Sequence, residues 1–251
     1  MQDIQPPRLP TDRIGSVLLA DRLRLPSPTS ALLWDMDGVL LDTLILDYQG
    51  VNQLLHQYIP NSDQLEIPTS VIRANFAYDL PESWSRMLAT VGVEPTQSQL
   101  QLLVEANQRE RQTALPPVHE GVFETLQAAH SAGIPSAVVS NSPIATIEHL
   151  LSATELLPHF ELLVGLDNPP INKKPAPDCY LEAAKRLRVD PAKCVALEDS
   201  LLGIEAAHRA GCFTIGIATG ANSWEQLSAS PFIDRCYTSL AEMQVKSSSS
   251  T

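Results

Sequence analysis

Short apolar runs alternate with helix-length amphipathic segments along most of the chain, and this alternation constrains the fold more than any other feature of the sequence. The runs are almost continuously apolar, as is typical of strands buried on both faces of a parallel sheet. The predicted strands are residues 31–34, 135–139, 162–165, 193–197 and 213–217. The predicted helices between them are residues 122–131, 144–151, 176–187 and 201–210. We therefore predict an α/β fold with a doubly wound parallel sheet.

Residues 45–114 interrupt this alternation, because helical patterns follow one another there without a convincing strand between them. These patterns span residues 46–58, 82–90 and 97–112. We predict that residues 45–114 are an all-helical insert in an α/β core of residues 30–44 and 115–240. Ligands of open α/β sheets bind beyond the carboxyl ends of the strands, so an insert leaving from that edge would cover the site. Residues 1–29 are a proline-rich N-terminal extension, and residues 241–251 are a polar tail that we expect to be flexible.

The charge balance excludes one large class of partners. The chain has 17 Lys and Arg residues against 29 Asp and Glu residues, a formal net charge of −12. Such a protein repels nucleic acid and acidic lipid surfaces. No stretch reaches the ~18 apolar residues of a membrane helix, and the first residues carry no basic cluster. With four cysteines and no C-x-x-C pair, we predict a cytoplasmic protein with no nucleic-acid and no membrane partner. Its oligomeric state is left open.

Two pairs of acidic residues follow predicted strands. Asp35 and Asp37, one residue apart, come directly after the first strand, and Glu198 and Asp199 come directly after the fourth. A D-x-D-G stretch also occurs in calcium loops, but those need a further oxygen ligand before the glycine and a distal Glu. For Glu198 and Asp199, a solvated or helix-capping pair is an alternative interpretation.

A hydroxyl and a lysine lie at the other strand exits. Ser140 and Asn141 follow the second strand just before a helix, whose free N–H groups suit an anion, although a simple N-cap serine is an alternative. Lys173 and Lys174 stand before a proline-flanked loop, and Lys173 is the first lysine of the chain. In so acidic a protein they are candidates for neutralising phosphate, although many lysine pairs are only solvated.

The order of acid pair, hydroxyl, lysine and acid pair resembles that of the haloacid dehalogenase-like hydrolase superfamily. Residues 34–43, WDMDGVLLDT, are similar to its first motif. Ser140, Lys174 in K-P-A-P-D, and residues 198–200 with Gly203 are similar to its second, third and fourth motifs. The resemblance covers about residues 30–240 and implies a Rossmann-like core with a helical cap. Asp42 and Thr43 would lie on the turn into that cap as hinge structure.

The resemblance implies a magnesium-dependent phosphatase, a phosphoric monoester hydrolase that acts on a small phosphorylated metabolite through an aspartyl-phosphate. Asp35 would be the nucleophile, and Asp37 would protonate the leaving oxygen and then activate water. The phosphoryl group would be bound by Ser140, Asn141 and Lys174. Mg²⁺ would be held by Asp35, the backbone carbonyl of Asp37 and Asp199, with Glu198 as a further ligand or as a partner of the ligands.

Several alternatives belong to the same superfamily or keep only its fold. A sugar-phosphate mutase similar to β-phosphoglucomutase is the main alternative, but that enzyme has a cap histidine where this chain has Asp47. Carbon–halogen hydrolysis requires no acid at the position of Asp37. Phosphonate cleavage uses a cap lysine, and residues 45–114 contain none. A catalytically silent binding module would be expected to have lost a site residue, and none is lost. Four arginines of the cap could contact the substrate or be ordinary surface cations: Arg73, Arg86, Arg109 and Arg111.

Overall fold

A six-stranded parallel sheet forms the centre of the computed structural model, which describes residues 25–167 and 171–243, apart from the side chains of residues 111 and 112. The strands are β1 (Ala31–Trp34), β2 (Ser136–Val139), β3 (Leu162–Val164), β4 (Cys194–Glu198), β5 (Phe213–Ile217) and β6 (Arg235–Tyr237). Their order in the sheet is β3-β2-β1-β4-β5-β6. The chain order therefore reverses beside β1, which pairs with both β2 and β4. The predictions for residues 1–24 and 244–251 lie outside the described residues.

The helices lie on both faces of the sheet and in one insert. They are α1 (Leu44–Tyr58), α2 (Thr69–Asn75), α3 (Leu80–Thr90), α4 (Gln97–Thr113), α5 (Val122–Ser131), α6 (Ile144–Ala153), α7 (Asp178–Leu187), α8 (Leu201–Arg209), α9 (Trp224–Ser228) and α10 (Leu240–Met243). Among the described residues, no helix is long and apolar enough to cross a bilayer.

Each face of the sheet has its own hydrophobic core. Leu32 and Trp34 of β1 pack with residues of α5, α6 and α10, whereas Ala31 and Leu33 pack on the other face with residues of α7 and α8. Successive side chains of a strand point to opposite faces, so a strand covered on both sides must be apolar at every position. The predicted doubly wound α/β fold is confirmed.

Helices α1 to α4 form the helical cap around a third core, in which Leu55, Trp84 and Leu103 are fully buried. Local signals start two of these helices. Asp79 caps α3 by accepting a hydrogen bond from the Glu82 N–H, and Thr96 begins α4 with a capping box.

Four short elements were missed by the sequence prediction: β6, α2, α9 and α10, of which α9 has five residues and α10 has four. Strand β6 is a three-residue edge strand with an exposed Arg235, so it presents no apolar run. Helix α2 has seven residues and buries only Ile72 and Asn75, too few for an apolar periodicity. Most other predicted elements agree with the structure to within about two residues at each end, as expected for such boundaries.

Candidate active site

The predicted site residues meet at the carboxyl edge of the sheet, where the chain order reverses. Asp35 directly follows β1 and Ser140 directly follows β2; the Asp35 N–H donates to the Leu197 carbonyl at 3.0 Å. Except for Glu198, all the predicted residues line one cavity of about 580 Å³: Asp35, Asp37, Ser140, Asn141, Lys174 and Asp199. Parallel strands and their crossover connections create such a crevice at this edge.

Lys174 is buried between two carboxylates. Its Nζ donates to Asp35 Oδ1 at 2.5 Å, to Glu198 Oε1 at 2.6 Å and to the Val139 carbonyl at 2.9 Å. Burial alone would lower the pKa of Lys174, but the charges of Asp35 and Glu198 outweigh it and raise that pKa above its ordinary value. Lys174 is therefore a fixed positive charge beside Asp35.

Tyr180, which the sequence reasoning missed, completes this buried network. Its hydroxyl donates to Glu198 Oε1 at 2.5 Å, and Ser200 Oγ donates to Glu198 Oε2 at 3.2 Å. Glu198 is thus held by three donors, and it holds Lys174 in turn. The available signal was the position of a tyrosine on the buried face of α7, since a buried tyrosine hydroxyl usually has a partner.

Three buried carboxylates converge in the site. Oxygen atoms of Asp35, Glu198 and Asp199 lie within 4.8 Å of one another. These three carboxylates and the ammonium group of Lys174 together leave two formal negative charges in a buried site. Burial, together with the charge of Glu198, raises the pKa of Asp199 to about 8, and burial also raises the pKa of Asp35 despite Lys174. A divalent cation would offset this charge, so the donor set fits a hard metal ion.

Glycines allow the chain to approach Asp199 closely. The Ala221 N–H donates to Asp199 Oδ2 at 2.6 Å. A Cβ atom at Gly220 or at Gly38 would overlap the Asp199 carboxylate, and Gly38 also has a φ of +85°. The glycine in D-M-D-G is therefore required by the turn and by the neighbouring acid, not only by the motif.

Asp37 and Asn141 are oriented by hydrogen bonds. Thr43 Oγ1 donates to Asp37 Oδ1 at 2.8 Å, so Thr43 positions this carboxylate in addition to lying on the turn into the cap. Asn141 Oδ1 accepts from the Lys174 backbone N–H at 3.0 Å, which ties the lysine loop to the end of β2. Ser140 is buried, and its Oγ accepts from the Ser142 N–H at 3.0 Å.

The cap closes the cavity with the loop between α2 and α3. Phe76, Tyr78 and Asp79 of this loop line the cavity together with Gln108 of α4. Arg73 reaches from the cap to the core, where its Nε donates to the Gly220 carbonyl at 2.9 Å. Cap and core therefore meet directly beside the acidic residues.

Comparisons with known proteins agree with this geometry. A family model described as a hydrolase, haloacid dehalogenase-like hydrolase, matches residues 29–211. A phosphoglycolate phosphatase of Nitrosospira multiformis is 29% identical over 204 residues, which cover 80% of this chain and 88% of the relative. Hexitol phosphatase B of Escherichia coli K12 is 30% identical over 190 residues, 74% of this chain and 82% of the relative.

A solved structure has the same architecture. The crystal structure of a HAD family hydrolase from Deinococcus radiodurans R1, with bound phosphate and sodium, has a TM-score of 0.71 and 25% identity, and covers 87% of this chain and 94% of that one. The family model spans most of the core, including the residues that meet in the cavity. The chain belongs to the haloacid dehalogenase-like hydrolase family.

Proposed function

We propose that this protein is a magnesium-dependent phosphatase that hydrolyses the phosphomonoester of a small metabolite through an aspartyl-phosphate on Asp35. The observation that carries the proposal is the convergence of Asp35, Asp37, Lys174 and Asp199 on one cavity. The names of the two similar phosphatases support phosphomonoesters as the substrate class. The four cysteines are free thiols in the structure, which supports a cytoplasmic location.

In the first step a carboxylate oxygen of Asp35 attacks the phosphorus atom. The new P–O bond forms as the bond from phosphorus to the leaving oxygen breaks, and Asp37 gives its proton to that oxygen. Lys174, held at 2.5 Å from Asp35, offsets negative charge on the phosphoryl group. Ser140 and Asn141 would bind the phosphoryl oxygens at the end of β2.

In the second step water attacks the phosphorus atom of the aspartyl-phosphate. Asp37, now a carboxylate, accepts a proton from this water. The P–O bond to Asp35 breaks, inorganic phosphate leaves, and Asp35 is again a free carboxylate. The bond from Thr43 keeps Asp37 in place for both proton transfers.

The metal site we propose consists of Asp35, Asp199, the backbone carbonyl of Asp37 and, as a ligand or as an anchor of Lys174, Glu198. The buried excess of negative charge around Asp35, Glu198 and Asp199 supports it. Mg²⁺ bound there would offset the charge of the transferring phosphoryl group.

The mutase alternative is less well supported. Asp47, which stands where the mutase has its cap histidine, is buried between α1 and α4, with Asn107 Nδ2 at 3.5 Å from its Oδ1. In the described part of the chain, Asp47 is not among the residues that line the cavity. It is therefore badly placed to hand a proton to a bound sugar phosphate, which favours hydrolysis.

Phosphate release tests the proposal directly. Release from p-nitrophenyl phosphate and from a panel of metabolite phosphates should require Mg²⁺, stop with a chelator, and not return with Ca²⁺, whose looser coordination misplaces the attacking oxygen. Asp35→Asn should remove turnover while the circular dichroism spectrum stays unchanged, because an amide is a poor nucleophile. Near-normal turnover in this variant, or in the presence of the chelator, would refute the mechanism.

A further inference from the structure

The cap side of the cavity is mainly apolar. The loop between α2 and α3 contributes Phe76 and Tyr78, the start of α3 contributes Leu80, and the core contributes Leu166 and Leu202. The cap therefore presents a mostly apolar surface to the leaving group of a substrate. Such a wall binds the carbon skeleton of a substrate, and the charged side chain that the cap adds to it is Asp79.

The cations of this cavity already have carboxylate partners. In the described part of the lining they are Lys173 and Lys174. Lys174 is held by Asp35 and Glu198, and Lys173 Nζ forms an ion pair with Asp79 Oδ2 and lies 4.0 Å from Glu82 Oε2. The hydrogen bond from Lys173 lowers the pKa of Asp79, so Asp79 is ionised at neutral pH.

Neighbouring arginines of the cap are also engaged. Arg73 donates to the carbonyls of Gly220 and Asn222. Arg86 lies 4.2 Å from the centre of the Tyr78 ring, and its Nε donates to Asn75 Oδ1 at 2.8 Å. A carboxylate or second phosphate on the leaving group would thus meet the Asp79 carboxylate and would have to displace it from Lys173.

We infer that the leaving group is uncharged, and that the enzyme acts on phosphomonoesters of neutral alcohols such as polyols and sugars rather than on those that carry a carboxylate or a second phosphate. The ion pair between Asp79 and Lys173 would set this specificity, because it neutralises Lys173, the described lining cation beside the cap loop, and places a carboxylate in the lining. This inference rests on the proposed phosphatase function and adds its substrate class.

A matched pair of substrates tests it. Glycerol 3-phosphate and 3-phosphoglycerate have the same carbon skeleton, but the second has a carboxylate where the first has a hydroxymethyl group. With Mg²⁺ saturating, kcat/KM of the intact enzyme should be at least about tenfold higher for glycerol 3-phosphate, since site contacts decide kcat/KM ratios.

Asp79→Asn should shift this preference. Asparagine is as good an N-cap as aspartate, so it can keep the bond that Asp79 Oδ1 accepts from the Glu82 N–H at 3.0 Å. The variant removes the Asp79 charge and leaves Lys173 with the more distant Glu82 carboxylate, 4.0 Å away. The kcat/KM ratio should then move about tenfold toward 3-phosphoglycerate, and Lys173→Gln added to Asp79→Asn should reverse most of that gain.

Asp190→Asn is the matched control. Asp190 also caps a short helical turn, accepting from the Ala192 N–H at 3.1 Å, but it precedes β4 and so lies at the opposite edge of the sheet from the site. Its substitution should leave the ratio unchanged. A wild-type enzyme that hydrolyses 3-phosphoglycerate as well as glycerol 3-phosphate, or a folded Asp79→Asn variant with the wild-type ratio, would overturn the inference. Failure to hydrolyse any phosphomonoester, p-nitrophenyl phosphate included, would instead overturn the phosphatase function itself.

Discussion

At the scale of single residues, the site depends on how a buried lysine is kept between Asp35 and Glu198. Glu198 Oε1 accepts from both Lys174 and Tyr180, at 2.6 and 2.5 Å. A carboxylate with no exposed surface needs all its donors, since each unsatisfied oxygen is costly to bury. In the proposed mechanism Tyr180 would act indirectly, by holding Glu198, which in turn holds Lys174.

Tyr180→Phe should lower kcat about 10- to 100-fold while KM changes little, because partners of site groups typically have effects of that size and the substrate itself is not touched. Steady-state kinetics with saturating Mg²⁺ would measure the split between kcat and KM. Tyr237→Phe, at another buried tyrosine on β6, is the control. Equal effects of the two substitutions on kcat would show that Tyr180 only fills space.

At the scale of elements, the start of α8 packs directly against the end of β4. A Cβ atom at Gly203 would overlap the Glu198 carboxylate. That carboxylate is held by Lys174, Tyr180 and Ser200 and has no free direction in which to move. Glycine is thus required here by close packing of a helix on a strand.

Gly203→Ala should destabilise the protein by about 1–3 kcal/mol, the usual cost of inserting a methyl group into packed structure, and should also lower kcat. Gly50→Ala in α1 is the matched control. Its Cβ atom would meet only the far end of the Glu110 side chain, which can turn away, so alanine there should be neutral or stabilising. Urea unfolding would measure the change in unfolding free energy of both variants. Equal changes would contradict the packing argument.

The chain segment that enters the cap and the segment that leaves it run side by side. Leu41 bridges to Val118, and the His119 N–H donates to the Leu40 carbonyl at 3.0 Å. His119 Nε2 is buried and has no hydrogen-bond partner in the structure. Burial lowers the pKa of His119, although the charge of Asp42 opposes this.

This lowered pKa predicts a pH dependence of stability. Between the folded pKa of His119 and its unfolded value of about 6.5, the unfolded chain binds a proton that the folded protein does not. The contribution of His119 to stability is therefore present above about pH 6.5 and is lost as the pH falls through the folded pKa. His119→Leu should show a smaller loss of unfolding free energy between pH 7.5 and 5.5 than the wild type. Identical losses, measured by urea unfolding, would contradict the assignment.

Much of the fold and of the candidate site could be predicted from the sequence, for physical reasons. Strands buried on both faces must be apolar throughout, and Asp35, Ser140 and Asp199 stand at strand exits, so local patterns predicted both the sheet and its catalytic edge. Tyr180 could not be assigned a role, because its partner Glu198 is contributed by another element. The pairing of Lys173 with Asp79 joins residues 94 positions apart in different domains. Such contacts depend on tertiary packing, which leaves no periodic signal.

At the scale of the whole molecule, cap and core are packed as separate bodies. The cap core consists of residues from α1 to α4 and the Ile59 and Ile67 connection, and the two cores that flank the sheet draw their described buried residues from outside this insert. The paired chain segments at Leu41 and Val118 bring the ends of the insert together. A core that lacks the cap would therefore lose no part of its own hydrophobic interior.

We predict that replacing residues 45–114 by a short linker gives a folded core with weak Mg²⁺-dependent hydrolysis of p-nitrophenyl phosphate and little preference among metabolite phosphates. The proposed catalytic acids and Lys174 would remain, but the loop with Phe76 and Asp79 would be gone, and with it the contacts that we expect to distinguish transition states of different substrates. kcat/KM values for phosphorylated polyols, sugars and acids should be compared between the intact and shortened proteins. Circular dichroism and thermal unfolding would establish that the core is folded.

A second variant, made in the full-length chain, tests the same prediction even if the shortened core does not fold. Phe76 is only partly buried, and Phe76→Ala removes a large side chain from the cap wall while leaving all the proposed catalytic groups in place. It should lower kcat/KM for good metabolite substrates more than for p-nitrophenyl phosphate, because the cap wall contacts the leaving group and a generic aryl ester depends less on those contacts. If both variants keep the rank order and the ratios of the wild type, selectivity lies in the core loops, and the cap acts only to exclude water from the site.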